Sequence, residues 1–184
     1  MRMAAAAAWA VLGIAGACHA GDVGIGVSLK TDDSAIYVPW KLSPHLMLEG
    51  RLEYQRYSSE STNPGLGSTE YKMTTYSLGA GLFGQSRLTE STRMYAGGRL
   101  SYIDQKQDQG PYLPGFYYKD SRHGWAVAPT LGVEYFPIKQ LSLGAEVGLS
   151  YAKLNGVNSG GGADSTARTS STDTVSALIV RYYF

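Results

Sequence analysis

Strict two-residue alternation of apolar and polar side chains, recurring along most of the chain, is the feature that most narrows its fold. Residues 141–151 show it most cleanly: Leu141, Leu143, Ala145, Val147, Leu149 and Tyr151 alternate with Ser142, Gly144, Glu146, Gly148 and Ser150. Successive side chains on a strand point to opposite faces, so this period marks strands with one apolar face. The same period predicts strands near 22–30, 35–42, 46–58, 71–85, 93–105, 123–136 and 174–184, eight in all. No apolar run reaches the roughly 20 residues that a spanning helix needs. A chain of this kind enters a bilayer only as a closed barrel, because lipid leaves no partner for an open sheet edge.

The connections alternate in length. Short ones follow the second, fourth and sixth strands, at Ser43-Pro44-His45, Arg87 to Thr92 and Pro137 to Gln140. Longer polar ones are expected at 59–70, 106–122 and 155–173, and only the first outer turn, Thr31 to Ser34, is short. Tight turns on one side and larger loops on the other are the pattern of outer-membrane barrels.

The first twenty residues read as a cleaved signal peptide: Arg2 supplies the positive end, Ala4 to Gly16 the apolar stretch, and Cys18-His19-Ala20 the small residues before a cut at Gly21. Cleavage after Ala17 is an alternative. Lipidation of Cys18 is disfavoured because Ala15 stands where that signal wants Leu. Removing 1–20 takes away Arg2 and the only cysteine, and leaves residues 21–184 as one domain with 15 basic and 15 acidic residues. That balance gives no basic excess for nucleic acid, and no thiol remains for a disulfide or a thiolate metal site.

The polar faces carry Lys41, Glu49, Arg51, Glu53, Arg99, Glu134, Glu146 and Arg181, four basic and four acidic. In a barrel whose apolar face meets lipid, these point into the lumen, where unpaired charge is costly and mutual pairing is expected. Two readings follow, a static polar plug and a gate whose ion pairs exchange partners; the plug is preferred. Aromatics near both ends suggest headgroup girdles: Trp40, Tyr95, Tyr135, Tyr182 and Phe184 on the periplasmic side, and Tyr37, Tyr54, Tyr71, Tyr102, Trp125 and Tyr151 on the outer side.

The last strand, Val175 to Phe184, ends on Phe with Tyr182, Val180 and Leu178 at alternate positions before it. This resembles the C-terminal insertion signal of outer-membrane proteins, and over residues 21–184 the chain resembles the OmpA/OmpX-type small outer-membrane barrels. The resemblance implies an all-β, eight-stranded, antiparallel up-and-down barrel in the bacterial outer membrane. It also implies Leu178, Val180, Tyr182 and Phe184 as the residues read by the barrel assembly machinery, and outer-membrane lipid and lipopolysaccharide as the surroundings.

Other motifs carry less. Gly79-Ala80-Gly81-Leu82-Phe83-Gly84 fits G-x-G-x-x-G, but no helix follows, and its glycines read as small lumenal residues. His45 and His123 lie far apart, which supports neither a shared metal site nor a catalytic triad. His123 with Ser121 and Asp120 is a weak candidate for a rim enzyme. Tyr112, Phe116, Tyr117 and Tyr118, set among Pro and Gly, form a candidate surface for an extracellular ligand. The sequence therefore favours a non-enzymatic barrel with a structural or surface-interaction role and no cofactor. A small gated channel and, less favoured, a lipid-modifying enzyme are the alternatives.

Overall fold

The computed structural model describes residues 22–29, 34–63, 67–110, 118–160 and 163–184. The signal segment 1–20, together with Tyr112, Phe116 and Tyr117, lies outside the described residues. Eight strands follow in chain order: β1 (Gly24–Ser28), β2 (Ser34–Ser43), β3 (Leu46–Asn63), β4 (Gly67–Arg87), β5 (Thr92–Gln109), β6 (Tyr118–Ile138), β7 (Leu141–Gly160) and β8 (Ala163–Tyr183). Each pairs antiparallel with the next, and β1 pairs with β8, closing the barrel.

The alternation sorts side chains as lipid requires. Ile36, Leu52, Leu78, Leu100, Leu131, Leu149 and Leu178 are exposed on the outer wall. Glu49, Arg99, Glu134 and Arg181 are buried inside it. A water-soluble barrel would show the opposite sense.

The three polar stretches expected as loops are mostly strand. The β3–β4 ladder continues from Ser58↔Lys72 to Asn63↔Gly67. The β5–β6 ladder continues to Gln109↔Tyr118, which places Tyr118 in a strand rather than a loop. The β7–β8 ladder continues to Gly160↔Ala163. These segments lost their hydropathy period because both faces carry mostly polar residues there, while backbone pairing went on regardless. Strands β3 to β8 are 18–21 residues long. A tilted membrane strand needs only about 9–11 residues, so these six strands continue well beyond the bilayer as a projecting sheet. β1 and β2, at 5 and 10 residues, do not accompany them.

Pro129 interrupts the wall within β6. The β6–β7 register runs to Val127↔Tyr151 and resumes at Thr130↔Gly148, skipping Ala128 and Pro129. The proline nitrogen has no hydrogen to give to the strand opposite.

Candidate functional site: a charged plug in the lumen

Inward positions from five strands converge in the half of the barrel nearest the short turns, around Glu49 of β3. Glu49 comes from β3, Tyr95 and Arg99 from β5, Glu134 from β6, Ser142 and Glu146 from β7, and Arg181 and Tyr183 from β8. An eight-stranded lumen is just wide enough for side chains to fill it. Here they make a continuous chain of ion pairs.

Arg99 Nη2 donates to Glu49 Oε1 at 2.6 Å, and its Nη1 donates to Glu146 Oε1 at 2.8 Å. The guanidinium also reaches Glu146 Oε2 at 2.8 Å, so that pair is bidentate. Glu49 presents its other oxygen to Arg181 Nη2 at 2.6 Å, and Arg181 Nη1 donates to Glu134 Oε1 at 2.6 Å. The order is therefore Glu146–Arg99–Glu49–Arg181–Glu134, with Glu49 bridging the two arginines.

Hydroxyls complete the outer carboxylates. Tyr95 donates to Glu146 at 3.1 Å, and both Ser142 and Tyr183 donate to Glu134 at 3.1 Å. Buried charge is tolerated when paired in this way, because lost hydration is replaced by fixed partners; within the chain of ion pairs, Arg181 Nε is buried without a hydrogen-bond partner among the described residues.

Aromatic rings pack around the guanidiniums. Arg99 Cζ lies 4.9 Å from the Phe83 centroid and 5.4 Å from that of Tyr37. Arg181 Cζ lies 5.3 Å from Tyr95 and 5.6 Å from Tyr37. Phe83 and Tyr95 meet edge to face at 5.5 Å and, with Met47, form an apolar cluster inside the barrel. Tyr37 and Tyr95 are thus lumenal and not girdle residues. Their place in the alternation, opposite Ile36 and Met94, carried that signal, and end-to-end position alone misassigned them.

Glycines on the facing strands make the room. A Cβ on Gly81 would come within 2.8 Å of Arg99 Cγ, and one on Gly26 within 2.6 Å of Arg181 Cγ. Gly79 and Gly81 are therefore lumenal spacers, whereas Gly84 at the end of the same motif faces outward.

Five of the eight charged residues read from the sequence form this network. Arg51 and Glu53 pair with each other one level higher, at 3.0 Å. They line a polar cavity of about 370 Å³ shared with Gln55, Ser101, Thr130 and Asp173, whose floor is Arg99 and Glu146. Lys41 lies below the network, with Nζ 3.8 Å from the Tyr183 ring centroid. The sequence reading missed the second charged tier in the projecting sheet, where Arg122 pairs with a buried Asp120 at 2.5 Å.

The rim-enzyme constellation is not assembled. Asp120 points into the lumen, whereas Ser121 and His123 are exposed on the wall. Among the described residues no group of His, Cys, Asp or Glu is arranged to hold a metal. On β8, Leu178, Tyr182 and Phe184 face outward and exposed, with Val180 half-buried on the same face.

A matched set of substitutions separates the roles of the lumenal phenols. The Tyr37 hydroxyl is buried without a hydrogen-bond partner among the described residues, whereas that of Tyr183 serves Glu134. Tyr37→Phe is expected to leave stability unchanged or slightly higher, and Tyr183→Phe to lower it by roughly 1–3 kcal/mol. Urea unfolding of the refolded barrel in detergent micelles measures both. Equal losses would contradict the assignment.

The sequence profile of the outer membrane protein beta-barrel domain matches residues 3–180. The chain belongs to that family. No curated protein sequence matches it. Among solved structures, a major outer membrane protein from Thermus thermophilus is similar with a TM-score of 0.64 at 12% identity, over 88% of this chain and 97% of that one. CarO of Acinetobacter baumannii gives a TM-score of 0.49 at 14% identity, over 89% of this chain and 98% of that one. Ail, the attachment invasion locus protein of Yersinia pestis, gives 0.47 at 13% identity, over 88% and 92%. At these identities the likeness is one of fold. Family and fold place this barrel in the bacterial outer membrane, with the short turns, the start of β1 and the end of β8 on the periplasmic side.

Proposed function

We propose that this protein is a non-enzymatic outer-membrane barrel with a plugged lumen, acting through the sheet that it carries beyond the membrane. The observation that carries the reading is the Glu146–Arg99–Glu49–Arg181–Glu134 chain, buried across the periplasmic half of the lumen. A conduit would need those pairs to part, and parting either arginine from its carboxylates leaves charge uncompensated. The projecting β3–β8 sheet, with Tyr112, Phe116 and Tyr117 in the segment joining β5 to β6, is the proposed surface for an extracellular ligand. Residues 1–20 act as a cleaved export signal, and Leu178, Val180, Tyr182 and Phe184 are read by the barrel assembly machinery.

A gated channel is the second reading, favoured by the polar cavity directly above the plug. Single-channel recording of the refolded mature barrel in planar bilayers decides between them. The wild-type protein is expected to be silent, and Arg99→Ala with Arg181→Ala, if folded by heat-modifiable gel mobility, to open small steps. Glu146→Gln serves as the milder variant if the double one does not fold. Discrete steps from the wild type that change in either variant would make the charge chain a gate and overturn the proposal.

A further inference from the structure

The outer wall is unevenly charged just above its aromatic band. On the β3–β5 side, basic residues stand among acids: Arg56, Lys72 and Lys106 alternate with Glu60, Glu70, Asp104 and Asp108. Lys72 is paired with Glu70 at 2.7 Å. The β6–β8 side differs. Outward positions run Trp125, His123, Ser121 on β6, then Tyr151, Lys153, Asn155, Val157 on β7, and Thr172, Ser170, Arg168, Thr166 on β8. None of these is a carboxylate; the next row out, level with Asp108, holds Lys119 on β6 and Asp164 on β8.

Register brings the polar ones together. His123 is directly opposite Asn155, which is directly opposite Arg168. Lys153 sits one outward position lower, opposite Trp125 and Ser170, and so lies diagonal to both His123 and Arg168, within reach of long side chains. No ion pair joins Lys153 or Arg168 to a carboxylate among the described residues. The acids bordering the patch are Asp104 of β5, opposite His123, and Asp164, four residues along β8 from Arg168.

Height decides the partner. Tyr102 and Trp125 pack edge to face at 5.2 Å and, with Tyr151, stand exposed on the lipid-facing wall. Amphipathic rings there mark the headgroup level. Lys153 and His123 lie two residues further out, on strands rising about 3.3 Å per residue. That is the level of the first phosphates in the outer leaflet.

We infer that Lys153, Arg168, Asn155 and Ser170 form a binding site for the phosphate of an anionic glycolipid headgroup in the outer leaflet, with His123 at its edge. Arg168 offers the planar fork that suits phosphate, Lys153 a point charge, and Asn155 and Ser170 neutral donors between them. The proposal does not depend on whether the lumen conducts, so its failure and that of the plugged reading are separable.

The test uses the refolded mature barrel in zwitterionic micelles titrated with bis-phosphorylated lipid A, followed by native mass spectrometry. Lys153→Gln with Arg168→Gln is expected to weaken binding about thirtyfold, from roughly fivefold for each basic residue near an anionic lipid surface. Lys72→Gln with Lys106→Gln is expected to change it less than about threefold, because Glu70, Asp104 and Asp108 beside these lysines already offset their attraction for the lipid. Removing the phosphates from the lipid should equalise wild type and the β7–β8 variant. Equal weakening by both variant pairs would reduce the effect to general charge and overturn the site. Displacement of the lipid by millimolar inorganic phosphate would overturn the headgroup as its ligand.

Discussion

Arg181→Met is expected to destabilise the barrel by about 3–5 kcal/mol, the range for breaking a buried ion pair from one side. Methionine matches much of the arginine's length, so the loss would come mainly from charge and hydrogen bonds. Arg181 is fully buried and joins Glu49 to Glu134. Without it, Glu134 keeps only the Ser142 and Tyr183 hydroxyls, and Glu49 only Arg99. Arg99 would then serve Glu49 and Glu146 alone, and Glu134 would lose its guanidinium partner. The same physics predicts a rescue. Combining Arg181→Met with Glu49→Gln and Glu134→Gln removes the orphaned charges, and most of the lost stability should return, since replacing a whole buried pair is far less costly than breaking it. Equilibrium urea unfolding of the three proteins in micelles measures the series. If Arg181→Met unfolds at the wild-type urea concentration, the ion-pair chain contributes nothing to holding the barrel.

The strands that cross the membrane were legible because lipid imposes on them a rule that reads directly as hydropathy. Leu141 to Tyr151 alternates without exception, and the β7–β8 ladder keeps it in register throughout. The projecting halves were illegible for the complementary reason. In Gln55–Asn63 or Ala163–Thr174 both faces are polar, so period 2 vanishes while hydrogen bonding to the next strand continues. The lumenal charges could be assigned to a face from parity, but their partners could not. Which carboxylate Arg99 reaches depends on the register of several strands and on barrel closure, information spread over the 132 residues that separate Glu49 from Arg181. The rings were harder still. Tyr37, Tyr95 and Tyr183 look like membrane-interface residues by composition, and only their odd position against an outward-facing neighbour sends them inside. The Arg122–Asp120 pair escaped notice, and Asp120 was read instead with Ser121 and His123, because these residues lie where the sequence looked like a loop.

Gly132→Val is expected to do more damage than any exposed substitution on the wall. A Cβ at this position collides with the Tyr95 ring and its hydroxyl. The backbone of β6 is held there by β5 through Tyr95↔Gly132 and by β7 through Gly132↔Glu146, so it cannot move aside. The ring must leave instead, and with it the Tyr95–Glu146 hydrogen bond and the edge-to-face contact with Phe83. Overpacking of this kind costs about 1–3 kcal/mol, and an orphaned buried hydrogen bond adds about 1–3 kcal/mol. Together these predict a barrel that refolds in poor yield and unfolds at clearly lower urea. The diagnostic is the double variant. Tyr95→Ala alone should also destabilise, by emptying the space the ring fills, yet Gly132→Val added to it should cost little, because the new methyls occupy part of that cavity. A coupling of roughly 1–3 kcal/mol between the two positions is the expected result of such a cycle. Simple additivity would mean that Gly132 is small for a reason other than the ring packed against it.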